Sequence, residues 1–140
     1  MKNVGLLLIR LCVGLTFVVH GYGKVFGPDG VSGFAGALAA MHIEPSVPLA
    51  WAAALSELVG GAFLAAGFLT RPAAGLIAIT MAVAVFKVHW DNGFMGAKDK
   101  MGFEYPLNLL IAGLAFVLSG PGPLALDNWI KLKRAQPPKK

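Results

Sequence analysis

Four long apolar runs, each closed by a short turn-forming stretch, constrain this chain more than any other feature. They fall at roughly residues 4–22, 49–69, 73–89 and 105–118. A bilayer core is crossed by about 17–25 helical residues. The first two runs meet that length. The last two sit at or below its lower limit, so tilt or local thinning is needed for them to span. A soluble bundle would carry charged stripes along such helices. Here only 14% of residues are charged and 56% are hydrophobic, against roughly a quarter charged in an ordinary soluble domain. The expected fold is all-α: a membrane-embedded four-helix bundle forming one domain over residues 1–140.

The breaks carry turn chemistry. "GPDG" (Gly27 to Gly30) ends the first run, "EPSVP" (Glu44 to Pro48) precedes the second, and "GPGP" (Gly120 to Pro123) ends the fourth. "TRP" (Thr70 to Pro72) is so short that the second and third helices must form an antiparallel hairpin, with Pro72 near a helix start. Between the first two runs, "SGFAGALAAM" is too short to span. It is expected to form a short interfacial helix capped by Ser32. At the N-terminus, Arg10 interrupts the apolar core that a secretory signal needs, and no A-x-A site follows. The first run is expected to be a retained membrane helix.

Lys and Arg placement predicts orientation. Four crossings put both termini on one side, with Lys2, Arg71 and the five basic residues of the tail 131–140. Lys24, Lys87, Lys98 and Lys100 fall on the other side, partly balanced by Asp29, Glu44, Asp91 and Asp99. The bias places both termini and the Thr70–Pro72 hairpin in the cytoplasm. The net charge of +5 is concentrated in that tail. With no second basic patch, its expected partner is membrane lipid and not nucleic acid. The lone Cys12 excludes an internal disulfide and a CxxC pair.

An ionisable group inside a span costs a few kcal/mol at least, so it should face protein or a wet cavity. On the first helix, Gly14, Phe17, Gly21 and Lys24 lie within about 40° of Arg10, and His20 within about 80°. Glu57 sits roughly 12 Å into the second helix and needs a cationic partner or a proton. The bland alternatives are a snorkelling Lys24, a capping His20 and a structural hydrogen bond at Glu57. On the third helix, Lys87 and His89 cannot both face inward, and His89 is the one expected inside. Glu104 and Asn108 share a face of the fourth. The expected ligand pocket is therefore His20, Lys24, His89, Glu104 and Asn108 near the outer helix ends, with Glu57 deeper. At the inner end, Arg10 and Arg71 are expected to pair with Asp127. Two histidines on different helices could ligate haem, but supporting motifs are missing. No metal-binding spacing, phosphate loop or dinucleotide fingerprint is present.

The stretches "LLIRLCVGLTFVVHGYGKVFG", "ELVGGAFLAAGFLTRPAA", "MAVAVFKVHWDNGF", "GFEYPLNLL" and "GPGPLALD" together resemble the DoxX family of bacterial membrane proteins, over nearly the whole chain. The resemblance implies a four-helix inner-membrane bundle and marks His20, Lys24, Glu57, Arg71, His89 and Glu104. Some members of that family are subunits of thiosulfate:quinone oxidoreductases. Others are linked to membrane oxidoreductase complexes in oxidative-stress defence, and many have no assigned activity. The expectation is a quinone-associated subunit of a redox complex. No cofactor is expected in the chain itself; quinone comes from the membrane and electrons from a soluble oxidoreductase partner. His20 or Lys24 would hold a quinone carbonyl, and Glu57 or Glu104 would relay a proton. The alternative is a non-enzymatic membrane scaffold or small-solute carrier. Whether the chain is itself an enzyme, and whether it forms a homo-oligomer, stays open on the residues alone.

Overall fold

The computed structural model describes residues 4–135. Lys2 and the tail beyond Ala135, with Lys139 and Lys140, lie outside the described residues. The chain is all-α apart from one short hairpin. Its elements are α1 (Val4–Phe26), α2 (Gly30–Ala40), α3 (Ser46–Ala66), α4 (Thr70–Val83), β1 (Gly96–Ala97), β2 (Lys100–Met101), α5 (Glu104–Ser119) and α6 (Leu126–Ala135). Beyond Val83, α4 continues through π-helical turns (Ala84–His89) and a 3₁₀ turn (Trp90–Asn92). Among the described residues, three rods are long and apolar enough to cross a membrane: Val4–Phe26, Ser46–Ala66 and Thr70–Asn92. At 16 residues, α5 is shorter, spanning ~24 Å.

The elements differ from expectation chiefly at their ends. The first helix runs on to Phe26, the second begins at Ser46 and stops at Ala66, and the third reaches back to Thr70. The early stop has a local cause. Gly67 takes the left-handed conformation (φ 68°), its N–H donates to Leu64 O, and the N–H of Phe68 donates to Phe63 O. Ser32 does not cap α2. That helix starts two residues earlier, at Gly30, with Asp29 in the capping position. The short hairpin, with Gly96 opposite Met101 and Ala97 opposite Lys100, was not foreseen.

Close approach of α1 and α3 organises the packing. α1 buries Arg10, Val13, Gly14, Phe17 and Gly21. A Cβ on Gly14 would lie 2.6 Å from Ala65 N, and one on Gly61 would lie 2.8 Å from Gly14 O. These glycines let two backbones touch, the usual route to helix association where apolar burial alone gives no drive. α4 packs against α3 and α5, and one cluster joins all four helices: Val13 and Phe17, Leu64, Ala74, Ile77 and Met81, and Phe116. The hydroxyls of Ser56 and Thr80 share a 2.8 Å hydrogen bond between α3 and α4. α2 folds back on α3, burying Val31, Ala35 and Leu38 against Ala50 and Ala54. The outward faces are also apolar: Val19 is 70% exposed and Leu118 79%. Such surfaces suit hydrocarbon as the surrounding solvent.

Candidate functional site

The approach at Gly21 sets up the main polar contact. Gly21 packs directly against the Leu58 backbone. Lys24, almost one turn further on, then reaches over α3 to Glu57. Its Nζ donates to both carboxylate oxygens, at 2.5 and 2.6 Å. The Glu57 side chain is 1% exposed and that of Lys24 28%. The cation also lies 4.6 Å from the ring centroid of Phe34 on α2, so α2 covers one side of the pair. Among the described residues this is the only ion pair closer than 4.0 Å.

About one turn back on α1, His20 Nε2 lies 3.2 Å from the Tyr105 hydroxyl at the start of α5. Both side chains are exposed. Lys24–Glu57 and His20–Tyr105 therefore lie along one end of the molecule, where α1, α3 and α5 meet. Tyr105 and Phe34 carried no sequence signal for these roles. An aromatic residue at a helix end reads as an interface anchor, and both contacts join distant parts of the chain.

The other expected pocket members are placed differently. His89 Nδ1 lies 3.0 Å from Met101 O, and Asn92 Nδ2 donates to the same carbonyl at 2.9 Å. A carbonyl only accepts, so Nδ1 carries the proton. Together these side chains hold the β1–β2 hairpin onto the end of α4. Among the described residues, no hydrogen bond or ion pair joins His89, Glu104 or Asn108 to the Lys24–Glu57 pair. The π-helical turns over Ala84–His89 explain part of this, because they change the angular advance that a regular helix would give His89. Glu104 occupies the first turn of α5, where a carboxylate suits the helix dipole.

Neither Arg10 nor Arg71 makes an ion pair within 4.0 Å with Asp127 among the described residues. Arg10, almost wholly buried, donates to the carbonyls of Pro121, of Pro123 at 3.2 Å and of Leu124 at 3.1 Å. Arg71 donates to Leu118 O at 3.3 Å. Asp127 accepts instead from the backbone N–H groups of Leu69 (2.8 Å) and Thr70 (2.9 Å), capping α4 from a remote point in the sequence. Burial alone would push the Asp127 carboxyl up. The hydrogen bonds from Thr70 and Leu69, with the charge of Lys131, outweigh it and leave the group below its ordinary value. Loop carbonyls take the Nη1 and Nη2 groups of Arg10, its buried Nε has no partner among the described residues, and the orphan N–H groups of α4 claim the acid.

Two of the surface hollows lie on α3. One of about 350 Å³ lies between α2 and the start of α3, lined by Val31, Ala35, Ser46 and Trp51. One of about 400 Å³ runs along α3 and α4, lined by Leu55, Gly60, Phe63 and Leu76. Neither is lined by His20, Lys24 or Glu57. No group of three metal-ligating side chains is present among the described residues.

Comparison with known proteins places the chain. The sequence model of the DoxX family matches residues 5–90. "Putative oxidoreductase CatD" of Bacillus subtilis is 34% identical, covering 91% of this chain and 88% of that protein. Inner membrane protein YphA of Escherichia coli is 32% identical over 90% of each chain. Inner membrane protein YqjF of the same organism is 29% identical, covering 95% of this chain and 97% of its own length. No solved structure matches.

Proposed function

The chain belongs to the DoxX family, and from that premise we propose that it is a quinone-associated subunit of a redox complex in the bacterial inner membrane. The name of CatD assigns that relative provisionally to the oxidoreductases, and YphA and YqjF are named as inner membrane proteins. In this reading α1, α3, α4 and α5 form a four-helix transmembrane bundle, and α2 lies in the interface at its outer end.

The observation that carries the reading is the half-buried Lys24–Glu57 pair next to the exposed His20–Tyr105 hydrogen bond. A quinone bound there supplies two-electron, two-proton chemistry, with electrons from a soluble oxidoreductase partner. The donor set fits such a head group. An imidazole and a phenol at the end of a crossing helix offer hydrogen bonds to a carbonyl, and their exposure leaves them reachable from lipid. Tyr105 would hold the carbonyl through its O–H, with its oxygen accepting from His20 Nε2–H. A proton would then pass from His20 through Tyr105 to the carbonyl oxygen as the quinone is reduced. Lys24 holds positive charge about one turn away and favours negative charge developing at the site. Glu57 keeps Lys24 in place and is the carboxylate able to take up a proton when that charge is relieved. Glu104 lies beside Tyr105 in the chain and is the second candidate acceptor.

One observation favours the scaffold or small-solute carrier reading: Lys24 and Glu57 are already paired with each other, and neither lines the two hollows described above. Extraction of the purified protein with organic solvent separates the two. Stoichiometric quinone supports the redox subunit, whereas quinone-free protein that co-purifies with a soluble dehydrogenase supports a scaffold.

A further inference from the structure

We infer that α6 is a surface-lying membrane anchor that seats its apolar face among acyl chains and binds anionic phospholipid headgroups through Lys131, Lys133 and Arg134. The inference is independent of the quinone reading. α6 begins at the level of the membrane surface, because its first turn is fastened to the turn between two helices long enough to cross. Asp127 caps that turn through Leu69 and Thr70, and its own N–H donates to Gly67 O. Asn128 Nδ2 adds a 2.7 Å bond to Gly122 O.

Against this fixed start, the apolar side chains are turned outward. Leu124 is 84% exposed although it holds a left-handed backbone (φ 51°), a conformation that an ordinary side chain adopts at a cost. Its carbonyl is bonded to Arg10, which helps fix that conformation. Leu126 and Trp129 are about half exposed and Leu132 is 67% exposed. At about 100° per residue, Leu126, Trp129 and Leu132 share an arc of about 120°. Lys131 and Arg134 lie about 60° apart on the opposite face of the helix. Lys133 lies within the arc and folds its Nζ over the Trp129 ring, 3.8 Å from the centroid. An apolar arc with an aromatic residue, backed by a cationic polar face and held at the end of crossing helices, matches a helix lying between hydrocarbon and anionic headgroups. In water the same arc would leave three large apolar side chains uncovered.

The test uses the full chain with Trp51→Phe and Trp90→Phe, so that Trp129 reports alone, in nanodiscs of phosphatidylcholine with and without phosphatidylglycerol. Bromine carried near the headgroup end of the acyl chains should quench Trp129, and aqueous acrylamide should quench it several-fold less than free tryptophan. Phosphatidylglycerol should strengthen both effects. Lys131→Gln/Lys133→Gln/Arg134→Gln should abolish the phosphatidylglycerol dependence while the melting temperature holds. Full acrylamide quenching without bromolipid quenching would overturn the inference. So would protection from both quenchers, which would mean that a protein or a second copy covers the face. Phosphatidylglycerol having no effect on the unsubstituted triad would overturn the headgroup contact.

Discussion

Glu57 is almost wholly buried, whereas Lys24 keeps more than a quarter of its side-chain surface. The two residues therefore do not respond equally to substitution. Lys24→Met strands a buried carboxylate and should cost on the order of 3 kcal/mol. Glu57→Gln keeps an acceptor at the same place and leaves Lys24 free to reach water, so it should cost about 1 kcal/mol. Lys24→Met combined with Glu57→Leu should recover much of the loss, since no charge is then left unpaired. Thermal unfolding of the three variants in one detergent checks the order. Equal losses for the two single variants would show that the pair is not buried asymmetrically. Glu57 was legible as a group needing a partner because its depth in an apolar helix makes a free charge expensive. Its neighbours were less legible. Phe34 and Tyr105 reach the site from distant chain positions, and Asp127 caps a helix that begins 57 residues earlier.

Among the elements, the α1–α3 contact depends on absent side chains. Gly21 faces the Leu58 backbone, where a Cβ would overlap main-chain atoms, whereas a Cβ on Gly23 meets nothing within 4 Å. Gly21→Ala should thus push the helices apart and cost about 1–3 kcal/mol. Gly23→Ala on the same helix should be neutral, or stabilise by up to about 1 kcal/mol through helix propensity. Melting temperatures of the two variants test this, and similar losses in both would show that α1 is not seated on α3 by that face. The buried face of α1 was legible because a regular helix advances by a fixed angle, which groups Arg10, Gly14, Phe17 and Gly21. That rule fails beyond Val83, where the π-helical turns change the advance. The β1–β2 hairpin was missed because a two-residue ladder leaves almost no alternation to read.

For the whole molecule, apolar length and turn chemistry made the order of helices legible, while the contents of the site were not, because they depend on which helix ends meet. The chain direction puts Arg10, Arg71 and Asp127 at one end and His20, Lys24 and the hairpin at the other. If the basic end is cytoplasmic, Ala97→Cys in a Cys12→Ser background should react with an impermeant maleimide added to intact cells, and Ala135→Cys should not. The opposite pattern would invert the orientation. The central claim is that the polar end of α1 holds a quinone together with Tyr105. Titration of the purified protein in nanodiscs with a water-soluble quinone analogue tests it most directly. Wild type should bind saturably, and His20→Ala and Tyr105→Phe should each weaken binding by about tenfold, the worth of one hydrogen bond to a bound carbonyl, with melting temperatures unchanged. Binding by both variants as tight as wild type, or no binding by wild type, would contradict the account.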